Sequence, residues 1–196
     1  MSKGEETRER VIEEAVRLAS RDGLEGLTIG TLAAATGLSK SGLFAHFGSK
    51  EDLQLEALRA AVTAFEDGVM RPAFRAPRGL PRLRKIFELW VQSVTNPNRL
   101  GGCLILAAGT ELDDKPGPVR DFLVEQESRF LRALAQAAKL AVDAGHFRAD
   151  LDREQFAFEA HSIVLGYNHA RRLLRDPQAE TRARAGFERL LEAAKA

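Results

Sequence analysis

Apolar residues recur along this chain at intervals of three and four, with charged residues filling the gaps. In the first segment Val11, Ile12, Ala15, Val16, Leu18 and Ala19 form one stripe, and Glu9, Glu13, Glu14, Arg17 and Arg21 occupy the other side. That spacing predicts an amphipathic helix over roughly residues 5–21. Gly23 follows, where a left-handed C-terminal residue is wanted. Thr28 and Ser39 are good N-caps for two short helices, the first ending before Gly37 and the second at about His46, before Gly48. Ser49-Lys50-Glu51-Asp52 reads as a capping-box variant that opens a fourth helix through Leu53, Leu55, Leu58, Val62 and Phe65. Pro72, Pro77, Gly79 and Pro81 break the pattern after it.

Five more helices follow. Leu83, Ile86, Phe87, Trp90, Val91 and Val94 mark the fifth, which the Asn96-Pro97-Asn98 turn stops. The sixth covers about residues 103–112, the seventh 119–144, the eighth 153–175 and the ninth 178–194. No useful alternating pattern appears, so the expected fold class is all-α with about nine helices. The eighth helix carries apolar residues on two sides. Phe156, Ala160, Ile163, Tyr167, Ala170 and Leu174 face one way; Phe158, Leu165 and His169, with Ser162 and Leu173 beside them, face the other. A helix apolar on two sides is covered on two sides. The ninth has one stripe, Ala179, Ala183, Phe187, Leu190 and Ala194. Two such helices from each of two copies would close a four-helix bundle, so a homodimer through the last two helices is expected.

Composition narrows the choices. The 196 residues carry 29 Lys and Arg against 28 Asp and Glu, a net charge of +1, so a broadly cationic surface is excluded and a local basic site is not. One cysteine, Cys103, allows no intrachain disulfide and no cysteine-based zinc site. No apolar run approaches membrane-span length, and MSKGEETRER has no apolar signal region, so a soluble cytoplasmic protein without membrane partners is expected. The four histidines are scattered, and no HExxH, GxSxG, Walker A or GxGxxG pattern is present. Neither enzyme chemistry, nor a metal, nor a cofactor is expected.

The informative stretch is Thr28 to Lys50. Small Ala33 lies four residues before Gly37, and Leu43 follows six residues after it. A small residue that permits close crossing, a glycine in the turn and a later apolar plug are what a helix-turn-helix needs. Leu32, Leu38, Leu43, Phe44 and Phe47 can bury against the first helix. Lys40, Ser41, Gly42, Ala45 and His46 are then left for outward work. Between Leu38 and Lys50 there are Lys40, His46 and Lys50 and no acid, although residues 1–50 as a whole hold seven basic and seven acidic side chains. A helix of this kind fits a DNA major groove, and its N-terminus offers N–H groups to phosphate.

The segment TIGTLAAATGLSKSGLFAHFGSKEDL, Thr28 to Leu53, resembles the N-terminal module of the TetR family of transcriptional regulators in the register of Thr28, Leu32, Ala33, Gly37, Ser39, Leu43, His46, Phe47, Ser49, Lys50 and Leu53. The resemblance implies a dimeric repressor of a pseudo-palindromic operator. Residues 1–50 would be the DNA-binding domain and residues 51–196 the ligand-binding and dimerisation domain. It also implies phosphate contacts from Thr28, Ser39, His46 and Lys50. Two positions depart from the family's habit: Phe44 stands where tyrosine is frequent, and Gly42 where threonine is frequent. Base reading is then expected from Lys40, Ser41, thymine-methyl contacts and duplex shape, with Gly42, Phe44 and Ala45 in the contacting set. For the ligand, Trp90, Cys103, Glu111, Gln126, His161 and Tyr167 are candidates, and eleven Phe against one Trp and one Tyr point to an apolar or amphipathic molecule. Cys103, at a helix start, is also a candidate redox sensor. The competing reading is a helical small-molecule-binding or adaptor protein that does not read DNA.

Overall fold

The computed structural model describes residues 3–95 and 102–196; the Asn96-Pro97-Asn98 turn expected from the sequence lies outside them. The described chain is all-α. Its helices are α1 (Lys3–Asp22), α2 (Ile29–Thr36), α3 (Lys40–Phe47), α4 (Lys50–Phe65), α5 (Arg71–Phe74), α6 (Leu80–Thr95), α7 (Leu104–Leu112), α8 (Pro118–Asp143), α9 (Arg153–Arg172) and α10 (Ala179–Ala194). Nine of these have eight residues or more. The short α5 and a π-helical stretch, Glu66–Met70, fill the proline-rich gap that sequence alone leaves open. Pro72 and Pro81 lie in the first turns of α5 and α6, where a missing N–H removes no intrahelical bond. Among the described residues the one extended pairing is an isolated antiparallel bridge between Phe147 and Lys195.

The chain divides into two compact units, Met1–Phe65 with Asn96–Glu125, and Glu66–Thr95 with Gln126–Ala196. In the first unit, Val11, Ala15, Leu18 and Ala19 of α1 meet Leu32 of α2, Leu43 and Phe47 of α3, Leu53, Ala57 and Leu58 of α4, and Leu104 and Ala108 of α7 in one buried cluster. Arg8 on α1 pairs with Glu56 on α4. Burial works to raise the Glu56 carboxyl, but bonds from Arg8 and Arg59 hold it below the ordinary carboxylate range.

The second unit is pinned by aromatic rings. Phe87 of α6 stacks on Phe187 of α10 at 3.9 Å, and Phe147 lies 5.4 Å from Phe156 of α9. On α10 the buried positions are Ala179, Ala183, Phe187, Leu191 and Ala194. The stripe therefore keeps its four-residue step and runs through Leu191 rather than the expected Leu190, which is half-buried. Helix α9 ends at Arg172, earlier than expected, because the chain turns at Arg175, whose φ is 53°. Leu174 then lies beyond the helix and is exposed rather than continuing the Phe156 face.

Gly79 opens α6 under two constraints. Its φ is +85°, and a Cβ there would overlap His146 Nδ1. That nitrogen accepts the Leu80 N–H at 3.2 Å. A Gly79→Ala variant must adopt the left-handed backbone and displace the acceptor. We expect a loss of about 2–3 kcal/mol, read as a lower urea midpoint with an unchanged slope.

Candidate nucleic-acid interface

The head of the first unit is built by its caps. Thr28 accepts from the Thr31 N–H at 3.0 Å, while Thr31 Oγ1 accepts from the Thr28 N–H at 2.9 Å, a reciprocal capping box. Gly37, with φ 72°, ends α2 and donates to the Ala33 carbonyl at 2.9 Å. Ser39 then caps α3 by accepting from the Gly42 N–H at 3.1 Å, and Ser49 accepts from the Asp52 N–H at 3.0 Å at the start of α4. The first turns of α2 and α3 hold no acid. Their free N–H groups and positive dipole ends therefore remain available to an anion.

Helix α3 has eight residues, so it has one narrow buried edge. Leu43 and Phe47, four apart, fill it. Turning about 100° per residue from Leu43, Ser41 and Ala45 fall opposite, Gly42 and His46 on one flank, and Phe44 on the other. The exposures agree: Ser41, Gly42, Ala45 and His46 are all exposed. Two expectations are corrected here. Phe44 is 51% exposed and Leu38 is 38% exposed, so neither joins the core. An eight-residue helix cannot bury Leu43, Phe44 and Phe47 on a single edge. His46 is likewise outside the core, with its ring 6.3 Å from that of Phe47.

Lys40 and Lys50 both have surroundings that the sequence does not advertise. The Lys40 chain lies along α2, with Nζ 4.0 Å from where a Gly30 Cβ would be. Its charge therefore joins the Thr28 end of α2. Lys50 donates to Glu25 Oε1 at 2.5 Å, so an acid from the α1–α2 turn reaches a region whose own segment has none. This bond, with the Lys50 charge, holds the exposed Glu25 carboxyl below the ordinary range. Its stabilisation is present above the carboxyl's unfolded pKa and is lost as pH falls through the lowered folded value. Being exposed, the pair is weak and can exchange for another anion.

The candidate ligand residues divide between the units. In the second unit Trp90 is buried, edge-on to Phe130 at 4.7 Å and 5.6 Å from the His161 ring. His161 Nε2 lies 3.0 Å from Glu127 Oε2 without hydrogen-bond alignment. Tyr167 is buried with its hydroxyl unpaired, and burial, then Glu180, pushes the phenol above its ordinary pKa. Gln126, on α8, is half-buried. Glu111 and Cys103 belong to the first unit. Glu111 accepts the Leu24 N–H at 2.8 Å and the Glu25 N–H at 2.5 Å. It clamps the α1–α2 turn. Cys103 is buried at the start of α7. A groove of about 470 Å³ between α8 and α9, lined by Leu131, Arg132, Ala135, Gln136, Arg153, Glu154 and Ala157, contains none of the six candidates. Among the described residues no group of three or more His, Cys, Asp or Glu side chains could hold a metal ion, and no helix is long and apolar enough to cross a membrane.

A capped helical hairpin that exposes the outer face of its second helix, followed by a separate helical unit, defines the class of helix-turn-helix regulators. Residues 11–57 match the description "Bacterial regulatory proteins, tetR family", and residues 79–187 match "Tetracyclin repressor-like, C-terminal domain". The chain belongs to the TetR family, which comprises transcriptional regulators and not enzymes. It is 36% identical over 99 residues to the HTH-type transcriptional repressor AcnR of Corynebacterium efficiens, covering 46% of this chain and 53% of that repressor. The chain thus matches about half the length of this relative. A TetR transcriptional regulator from Chloroflexus aurantiacus is similar in structure, with a TM-score of 0.86 and 25% identity, covering 98% of this chain and 96% of that one. A transcriptional regulator from Saccharomonospora viridis, solved in complex with choline, gives a TM-score of 0.82 at 25% identity and covers 96% of each chain.

Proposed function

We propose that this chain is a ligand-responsive repressor that binds a pseudo-palindromic DNA operator as a homodimer. The observation that carries the reading is α3. Leu43 and Phe47 anchor it, and its outer face is bare, between N-termini free of acids. Thr28, Ser39, His46 and Lys50 contact phosphate, with Lys40 beside the α2 terminus, and α3 enters the major groove. Functionally the division falls near residue 50. Residues 1–50 carry the DNA surface, and residues 51–196 carry ligand binding and dimerisation through α9 and α10. A small molecule, apolar or amphipathic, binds in the second part. The ring cluster of Trp90, Phe130 and His161 supports this. The chain passes between the units at residues 65–66, 95–96 and, within α8, 125–126. A ligand that favours a DNA-incompetent arrangement by about 1–3 kcal/mol would change operator affinity 5–150-fold.

Selection of bound duplexes from a random pool tests the reading. It should return a dyad whose half-sites lie about one helical turn apart. Failure to enrich any duplex at low salt would overturn DNA binding and leave a helical ligand-binding protein. On the selected duplex, Lys50→Ala should weaken binding to all sequences alike and lower the salt slope by roughly one unit. An undiminished slope would remove Lys50 from the phosphate contacts.

A further inference from the structure

The outer face of α3 is unusual in what it lacks. Its outermost edge consists of Ser41 and Ala45, with Gly42 on the His46 flank, and among these three the Ser41 hydroxyl is the only side-chain hydrogen-bonding group. That hydroxyl lies 3.3 Å from Ser39 Oγ, within the cap of the same helix. Lys40, the longest polar side chain on α3, leans back along Gly30 of α2. Arginine, asparagine and glutamine, which make bidentate contacts to purines, do not occur on α3. With His46 assigned to phosphate, what the face offers to the bases is apolar. Phe44 is 51% exposed, and Ala45, the next residue, is exposed as well. Gly42 adds no bulk, so the backbone can approach base edges closely. In the major groove the apolar feature that differs between bases is the thymine C5-methyl group.

We propose that Phe44 is the specificity-determining residue of this regulator, and that it reads thymine C5-methyl groups by apolar contact while Gly42 and Ala45 let α3 approach closely enough. The proposal rests on the DNA-binding reading above. Its chemistry explains why a ring without a hydroxyl is useful here. A phenol hydroxyl at this position would favour a phosphate oxygen, whereas a bare ring gains by covering a methyl group and leaving water. Sequence preference should therefore concentrate on one or two thymines in each half-site, with little dependence on purine hydrogen-bonding groups.

The test uses the full chain and a duplex chosen by selection. Each thymine is replaced in turn by deoxyuridine, which removes the methyl group and leaves base pairing intact. The wild type should bind roughly four-fold more weakly for each contacted methyl lost, and about sixteen-fold more weakly when both half-sites are changed. Phe44→Ala should bind thymine and uracil duplexes equally, at the level of the wild type on uracil. Phe44 is on the surface, so circular dichroism should show this variant folded. Should it misfold, the uracil scan on the wild-type chain still decides. A wild type that binds the duplex but ignores every thymine-to-uracil change would overturn the proposal. So would a Phe44→Ala variant that keeps the full uracil penalty. Absence of binding to any duplex is a different result, and it would overturn the DNA-binding reading itself.

Discussion

A Phe158→Glu variant should be a folded monomer that no longer holds its operator. Phe158 is 62% exposed on α9. Leu165, two turns on along the same line, is 41% exposed, and Leu173, just past the helix end, is 70% exposed. Ser162 and His169 lie between them. In a single chain this side of α9 touches little, whereas Phe156, Ala157, Ala160, Val164 and Tyr167 fill the other. Glutamate is a good helix former, so the variant loses no internal packing and the circular dichroism should not change. In the dimer the consequence differs. An interface between two copies is isologous, so one substitution places a carboxylate on each side. Each carboxylate is desolvated without a partner, at several kcal/mol. The dimer constant should weaken by at least about 100-fold, the equivalent of roughly 2.7 kcal/mol. A single head then makes half of the contacts, and operator affinity falls by orders of magnitude. Sedimentation at micromolar concentration and operator titration read the two effects. Dimer mass with unchanged operator affinity would move the interface elsewhere.

The sequence shows the fold clearly because helical spacing is a local signal repeated over many turns. The α1 stripe, the α10 stripe and the caps at Thr28, Ser39 and Gly37 can all be read within a few residues of each other. What the sequence hides is long-range or geometric. Glu111 reaches the Leu24 and Glu25 amides across 87 and 86 residues, and no periodicity marks a carboxylate that clamps a distant turn. His146 meeting Gly79 is the same kind of contact. Lys50 looks unopposed in its own segment until the turn at Glu25 folds back. Phe44 shows the geometric limit: apolar type argues for burial, but a two-turn helix with Leu43 and Phe47 on its inner edge leaves that ring outside. The proposed DNA-facing set is therefore easier to delimit from sequence than the proposed ligand site. The former is one contiguous hairpin, while the six ligand candidates are drawn from both units.

Leu43→Ala should uncouple the reading helix from its support and remove DNA binding without touching any residue that faces DNA. Leu43 is fully buried. It is the plug between α2 and α3, in a cluster with Leu32, Phe47, Leu53 and the α1 stripe. Besides Phe47 it is the only buried side chain of α3. Removing three methyl-sized groups there costs transfer energy and leaves a cavity, together about 2–5 kcal/mol. Neighbours can collapse only in part, because Ala33 and Gly37 already bring the two helices close and hold the turn at φ 72°. An eight-residue helix has almost no stability of its own, so the loss falls on the orientation of α3. Operator binding should drop at temperatures where most helical signal remains, and the first denaturation step should come at lower urea. Leu43→Met, which nearly conserves volume, should recover both within about 1.5 kcal/mol. If Leu43→Ala kept wild-type affinity and midpoint, α3 would not depend on this plug, and the helix-turn-helix account of the head would fail with it.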